Sequence, residues 1–247
     1  MHWYDSTGKP CHFMVGANGN ERGTTLRDAR KLNLFPSVTT ILGTIDKPAL
    51  VNWKMKQVLL ASLTLPTIEN EPPDDFAKRI MRDAFADSTD ARDRGSLIHD
   101  CLESVANLED LYKYPSDIKD IAVSACVEVA EYCKTDRFTA EATVTGNGYA
   151  GMIDLHNDEI CLDWKTKDIK NLTTKMAYDE QAMQLAAYDK ALGGKQRRCI
   201  NVFVDRTEPG RVVIHEWEPE DIELAWQKFE LLVKYWQLDK GYVPSAA

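Results

Sequence analysis

The periodicity of the chain changes at about residue 137, and this change limits the folds open to it more than any other feature. Upstream, "DIKDIAVSACVEVAEYCKTD" (117–136) repeats apolar residues at helical spacing and predicts an amphipathic helix. Downstream, "RFTAEATVT", "YAGMIDLH" and "EICLDWKT" alternate with period 2, which predicts a three-strand meander over 137–166. "YDEQAMQLAAYDKALGG" (178–194) returns to helical spacing and ends on two glycines, a fitting stop. Two more strands, "RCINVFVDRT" and "GRVVIHEWE", and a helix from about Pro219 to Asp239 follow. The expected class is therefore α/β (α+β).

The N-terminal third reads differently. "HWYDSTGKPCHFMV" predicts a hairpin turning at Ser6–Lys9. "KPALVNWKMKQVLLASL" has helical spacing, and the chain from 75 to about 112 reads as helical with an interruption near Ser88–Arg94. The expected organisation is one domain: a mostly helical part over 1–94, an α/β core over 95–216, and a helix and tail over 217–247.

Composition narrows the class. The 247 residues are 44% hydrophobic and 28% charged, a globular profile with enough chain for a sizeable core. No run of about 18 apolar residues predicts a membrane span, and the start lacks a basic-then-apolar leader, so a cytoplasmic protein is expected. None of the six cysteines forms a C-x-x-C pair, which reads as scattered reduced thiols rather than a zinc or iron–sulfur site. The net charge of −9 argues against indiscriminate nucleic-acid binding but not against a local basic groove. Two basic clusters exist, Lys165/Lys167/Lys170/Lys175 and Lys195/Arg197/Arg198, with ordinary solvated charge as the alternative reading of each.

"GYAGMIDLHNDEICLDWKTK" (148–167) sets charges inside strands that should be half-buried. With Asn157–Asp158 as a two-residue turn, Leu155 faces Ile160, Asp154 faces Cys161 and Met152 faces Asp163. Asp154, Asp163 and Lys165 then share one face, the two carboxylates as diagonal neighbours roughly 7 Å apart. Ile153, Leu155, Ile160, Leu162 and Trp164 fill the other. Two ionised carboxylates so close repel, and a divalent cation removes the conflict. Lys165 beside them could hold an attacking water, so the set fits metal-assisted phosphodiester hydrolysis. A solvent-facing hairpin with Asp–Lys pairs is the alternative.

Further along, "RGSLIHDCLES" sets His99 on a predicted helix after Gly95, and "QAMQLAAY" sets Gln184 and Tyr188 four apart on one helix face. In order, Gly95-x3-His99, "GMIDL", "CLDWKTK" and Gln184-x3-Tyr188 resemble the PD-(D/E)XK nuclease superfamily, specifically the RecB-type branch that includes phage exonucleases. "FPSVTTIL…KPALVNWK" (35–54) also looks like the N-terminal segment of such enzymes, and the resemblance covers roughly 35–190. It implies a restriction-endonuclease-like core, with a mixed central sheet flanked by helices, and a Mg²⁺ or Mn²⁺ cofactor. It implies that His99, Asp154, Asp163 and the carbonyl of Trp164 bind the metal, that Lys165 positions the water, and that Gln184 and Tyr188 orient the site and contact DNA. Ile153 stands where the superfamily name has proline. The clustered cysteines of iron–sulfur members are missing after Gln184, so no such cluster is expected, and no helicase P-loop is present.

Arg92, Arg94 and Lys167 are candidates to meet DNA phosphates, with surface charge as the alternative. Glu141 in "FTAEATV" is buried by pattern and a candidate to approach the metal, with a structural role as the alternative. The expectation is a metal-dependent DNA exonuclease acting on linear ends in recombination, replication or repair. A recombination partner such as a single-strand annealing protein, and a homo-oligomer, fit that expectation; a membrane does not. A structure-specific endonuclease on the same fold and a non-catalytic DNA-binding module remain open.

Overall fold

Period-2 alternation from residue 139 onward builds the sheet around which the protein is organised. A computed structural model describes residues 1–171 and 175–245. The chain divides into two compact units: Met1–Thr44 with Ile98–Ala247, and Ile45–Leu97. The first 44 residues thus group with the core, unlike the expected 1–94 partition.

In the larger unit, β1 (Trp3–Tyr4), β2 (Phe13–Val15), β3 (Glu21–Gly23), α1 (Leu26–Leu32), β4 (Phe35–Pro36) and α2 (Val38–Leu42) come first. The hairpin turn at Ser6–Lys9 is present: Tyr4 bridges Pro10, and Gly8 sits at φ 86°, a left-handed conformation natural to glycine. A Thr25–Asp28 capping box starts α1. β1 pairs β4 and β2 pairs β3, both antiparallel.

The smaller unit holds α3 (Pro48–Thr64), α4 (Pro73–Ala84) and the start of α5 (Ala86–Ala106). The expected interruption at Ser88–Arg94 does not occur; the break falls at Phe85, the C-cap of α4, and α5 then runs unbroken. Residues 88–94 are polar but contain neither proline nor glycine, and polarity alone does not stop a helix.

The core sheet has five strands in the order β5 (Thr139–Gly146), β6 (Tyr149–His156), β7 (Ile160–Lys167), β8 (Arg198–Asp205) and β9 (Val212–Trp217). β7 and β8 are parallel and the other neighbours antiparallel, so the sheet is mixed. α6 (Ser116–Cys133) buries Ile118, Ile121, Ala122, Ala125 and Val129, the expected 3–4 spacing, and lies against β8 and β9. α7 (Asp179–Ala191) crosses β5 to β8 and packs under α8 (Pro219–Lys240). Enclosed this way, α7 is buried continuously from Gln181 to Asp189. Pro219 opens α8, and Gly241 at φ 54° closes it. The chain is thus of mixed α/β class, with eight helices among the described residues. None of them is long and apolar enough to cross a membrane.

The β6–β7 register differs from the expected one. Leu155 lies opposite Leu162 rather than Ile160, and His156 opposite Cys161. The cause is Asn157, whose side-chain oxygen accepts from the backbone N–H groups of Glu159 and Ile160 at 2.9 and 2.8 Å, an Asx turn that lengthens the connection. The shift is two residues, an even number, so every side chain stays on its expected face. It moves Asp163 from a diagonal position to the one directly across from Asp154.

Candidate active site

Regular pairing between β6 and β7 ends at Leu155 and Leu162, and the site begins there. At the next step the backbone N–H of Trp164 donates to the Asp154 carboxylate Oδ2, at 2.7 Å, in place of a strand carbonyl. A side chain thereby wedges between the strands, and both aspartates stand at the divergence. On the far side of Trp164, His99 from α5 donates from Nε2 to its carbonyl at 3.0 Å. The peptide groups of Trp164 thus tie α5, β6 and β7 together, while its indole is buried at 2% exposure.

Asp163 is buried at 2% exposure, and Lys165 donates to its Oδ1 at 2.7 Å. Lys165 sits two residues along the same strand, hence on the same face. The lysine head offsets the cost of burying the carboxylate. The second oxygen, Oδ2, accepts from Asn201 Nδ2 at 2.8 Å. Asn201 adjoins Asp163 in the β7–β8 register and is fully buried.

Burial raises the Asp154 carboxyl above its ordinary range, and the neighbouring Asp163 raises it further. Glu141 on β5 is pushed up to about 7 by burial first and by Asp154 second. It also holds φ at 51°, uncommon for a non-glycine residue within a strand. His99 and Lys165 act the other way on Asp154, favouring its charge. The local field therefore disfavours a full set of ionised carboxylates unless positive charge is supplied.

α7 supplies Gln184 and Tyr188, one turn apart and both buried, with Gln184 Nε2 donating to the Tyr188 hydroxyl at 3.1 Å. Burial, and secondarily Asp163, raises the Tyr188 phenol well above its usual value, so it stays a neutral donor. Tyr188 reaches the sheet because position 151 is glycine: a Cβ there would lie 2.6 Å from Tyr188 Cε1.

The structure bonds both His99 and Asp154 to Trp164 and, on the flanking residues of the same strand, Asp163 to Lys165. The pair Gln184 and Tyr188 stands close enough for Tyr188 to feel Asp163 and Asp154. Lys167 turns elsewhere: its ammonium donates to the Met176 carbonyl at 2.8 Å and lies over the rings of Phe203 and Tyr178. Arg92 and Arg94 lie in the smaller unit; Arg92 pairs with the adjacent Asp93 in an exposed ion pair, and Arg94 is half-buried. Of the second basic cluster, Arg197 is buried against Asp189 at 2.9 Å and Arg198 pairs with Glu216. The Arg197 guanidinium is thus not ordinary solvated charge, whereas that of Arg198 lies exposed in a surface ion pair.

Sequence reasoning missed Asn201 and Trp217. The signal for Asn201 was present: in "RCINVFVD" it is the one amide in an apolar strand run, where asparagine is depleted.

Among the described residues, no three His, Cys, Asp or Glu side chains form a ready cation cage. What the site offers is two carboxylates at one level of the sheet with a backbone carbonyl between them and His99. That donor set suits a hard cation that keeps most of its waters. In comparisons with known proteins, no protein-family model matches the chain and no curated protein matches it.

Proposed function

We propose that the protein is a Mg²⁺- or Mn²⁺-dependent DNA nuclease of the PD-(D/E)XK type, with a restriction-endonuclease-like core, acting as an exonuclease on linear ends in the cytoplasm. One observation carries the reading: the buried Asp163 carboxylate, paired with half-buried Lys165, stands at the strand divergence opened by Asp154. A surface hairpin with solvated Asp–Lys pairs would not bury the carboxylate. Nor would it use a second carboxylate to cap the backbone of Trp164.

The residues divide the work. Asp154 and Asp163 would hold the cation, with the Trp164 carbonyl and His99 beside them. The cation would supply Lewis-acid charge for the phosphate and a more acidic water. Lys165 is the cationic donor nearest Asp163, placed to hold a water in line and to offset phosphate charge. Tyr188, held neutral by burial and oriented by Gln184, offers a hydroxyl on the side facing α7. Exposed Lys170 and Lys175, beyond β7, add positive charge for a nucleic-acid backbone.

The test uses labelled linear duplex, labelled single strands and closed circular plasmid, each incubated with Mg²⁺, Mn²⁺ or EDTA. Metal-dependent release of acid-soluble nucleotide from linear DNA, with the circle intact, is the expected result. Nicking of the circle would make the protein an endonuclease on the same fold. Acid-insoluble label retained under both metals would overturn the nuclease reading.

A further inference from the structure

We propose that Asn201 is the positioning residue for Asp163 and that Trp217 in turn orients Asn201, an inference that rests on reading Asp163 as a cation-binding carboxylate. The argument starts from cost. Asn201 is fully buried on β8, flanked in the chain by buried Ile200 and Val202, where an unsatisfied amide would carry its full desolvation penalty. Both ends are instead satisfied. Nδ2 donates to Asp163 Oδ2 at 2.8 Å, and Oδ1 accepts from Trp217 Nε1 at 2.8 Å.

The indole nitrogen decides which way the amide faces. It can only donate, so the atom facing it is the amide oxygen, and the NH₂ group is left toward Asp163. Trp217 is itself held by His215, whose ring meets it edge-on with centroids 4.4 Å apart; His215 lies opposite Asn201 in the β8–β9 register. The result is a chain across three strands, from Trp217 through Asn201 to Asp163. It supplies a neutral donor to Oδ2, while the Lys165 ammonium contacts both oxygens of the same carboxylate, Oδ1 at 2.7 Å and Oδ2 at 2.5 Å. An apolar residue in place of Asn201 would fill the space but leave the orientation of the Asp163 carboxylate to Lys165, a flexible side chain, alone. Outer partners of metal-binding carboxylates typically contribute 10–100-fold in affinity.

The experiment is Mn²⁺ binding to the full chain, followed by the free-ion electron paramagnetic resonance signal, for wild type, Asp163→Asn, Asn201→Leu, Trp217→Phe and the Asn201→Leu/Trp217→Phe pair. Thermal unfolding of each checks its fold. The expected results are loss of binding in Asp163→Asn, about 10–100-fold weaker binding in Asn201→Leu, and a smaller loss in Trp217→Phe. The pair should bind no more weakly than Asn201→Leu alone, because both substitutions cut the same chain. Wild-type affinity in both Asn201→Leu and Trp217→Phe, with Asp163→Asn defective, would overturn this inference and leave the nuclease reading standing. Should Asn201→Leu not fold, Trp217→Phe decides: wild-type affinity there overturns the inference. Wild type and Asp163→Asn equally unable to bind Mn²⁺ would overturn the reading of Asp163 and the inference with it.

Discussion

Gly151→Ala adds a single methyl group, and the structure says where it goes. The new Cβ would sit 2.6 Å from Tyr188 Cε1 and 3.4 Å from Cζ and the hydroxyl oxygen. Carbon atoms pack at about 3.5–4.0 Å, so the ring must retreat by about 1 Å. It cannot do so freely: Tyr188 is 3% exposed, lies on the buried helix α7, and accepts from Gln184. Overpacking of this kind costs about 1–3 kcal/mol. For a chain of this size that is a fall in Tm of about 2–4 °C per kcal/mol. Catalysis should suffer more than stability, since about 1 Å of misplacement near the reacting groups costs about 100-fold in rate. The assay pairs thermal unfolding with single-turnover cleavage of linear duplex. Tyr188→Leu removes the offending atom, so the double variant should lose clearly less stability than the sum of the two single losses. Gly151→Ala with wild-type stability, or strict additivity with Tyr188→Leu, would refute the close approach of α7 to β6.

Two other substitutions test other parts of the account. Arg197→Met leaves Asp189 buried without its partner, the side chains of both being 4% exposed in wild type; it should cost about 3–5 kcal/mol by urea unfolding, and Asp189→Leu in the same background should restore part of the loss. Glu141→Gln should flatten the pH dependence of stability in metal-free buffer. The folded protein keeps the Glu141 proton up to about pH 7 whereas the unfolded chain releases it near 4.5, so wild type loses stability as pH rises through that window. The variant should gain about 1 kcal/mol at pH 8 after allowance for screening at a half-buried position, and identical pH slopes in the two proteins would contradict the raised carboxyl.

The core was legible because alternation and helical spacing are strong local signals there. The three strands over 139–167, the α7 segment and the α8 segment all follow from them. The face shared by Asp154, Asp163 and Lys165 was legible too, because face depends only on parity. Register was not: it turned on one Asn157 side chain closing its own turn, a choice that alternation does not encode. The unbroken α5 is not legible because its polar stretch over 88–94 reads as a break yet holds neither proline nor glycine to make one. The contacts around Asp163 were partly legible. Lys165 lies within two residues of it, whereas Asn201 and Trp217 reach it only through the parallel β7–β8 pairing and the β9 hairpin. Long-range partners of that kind leave only an odd residue in a strand as their trace.

Release of acid-soluble nucleotide from end-labelled linear duplex by wild type, Lys165→Ala and Asp163→Asn, at saturating Mg²⁺ in single turnover, tests the central claim most directly. Removal of the Lys165 ammonium bonded to Asp163 should lower the rate by at least about 100-fold, with Asp163→Asn as defective and both variants folded. Equal rates in all three proteins would contradict the assignment of Asp163 and Lys165 to catalysis.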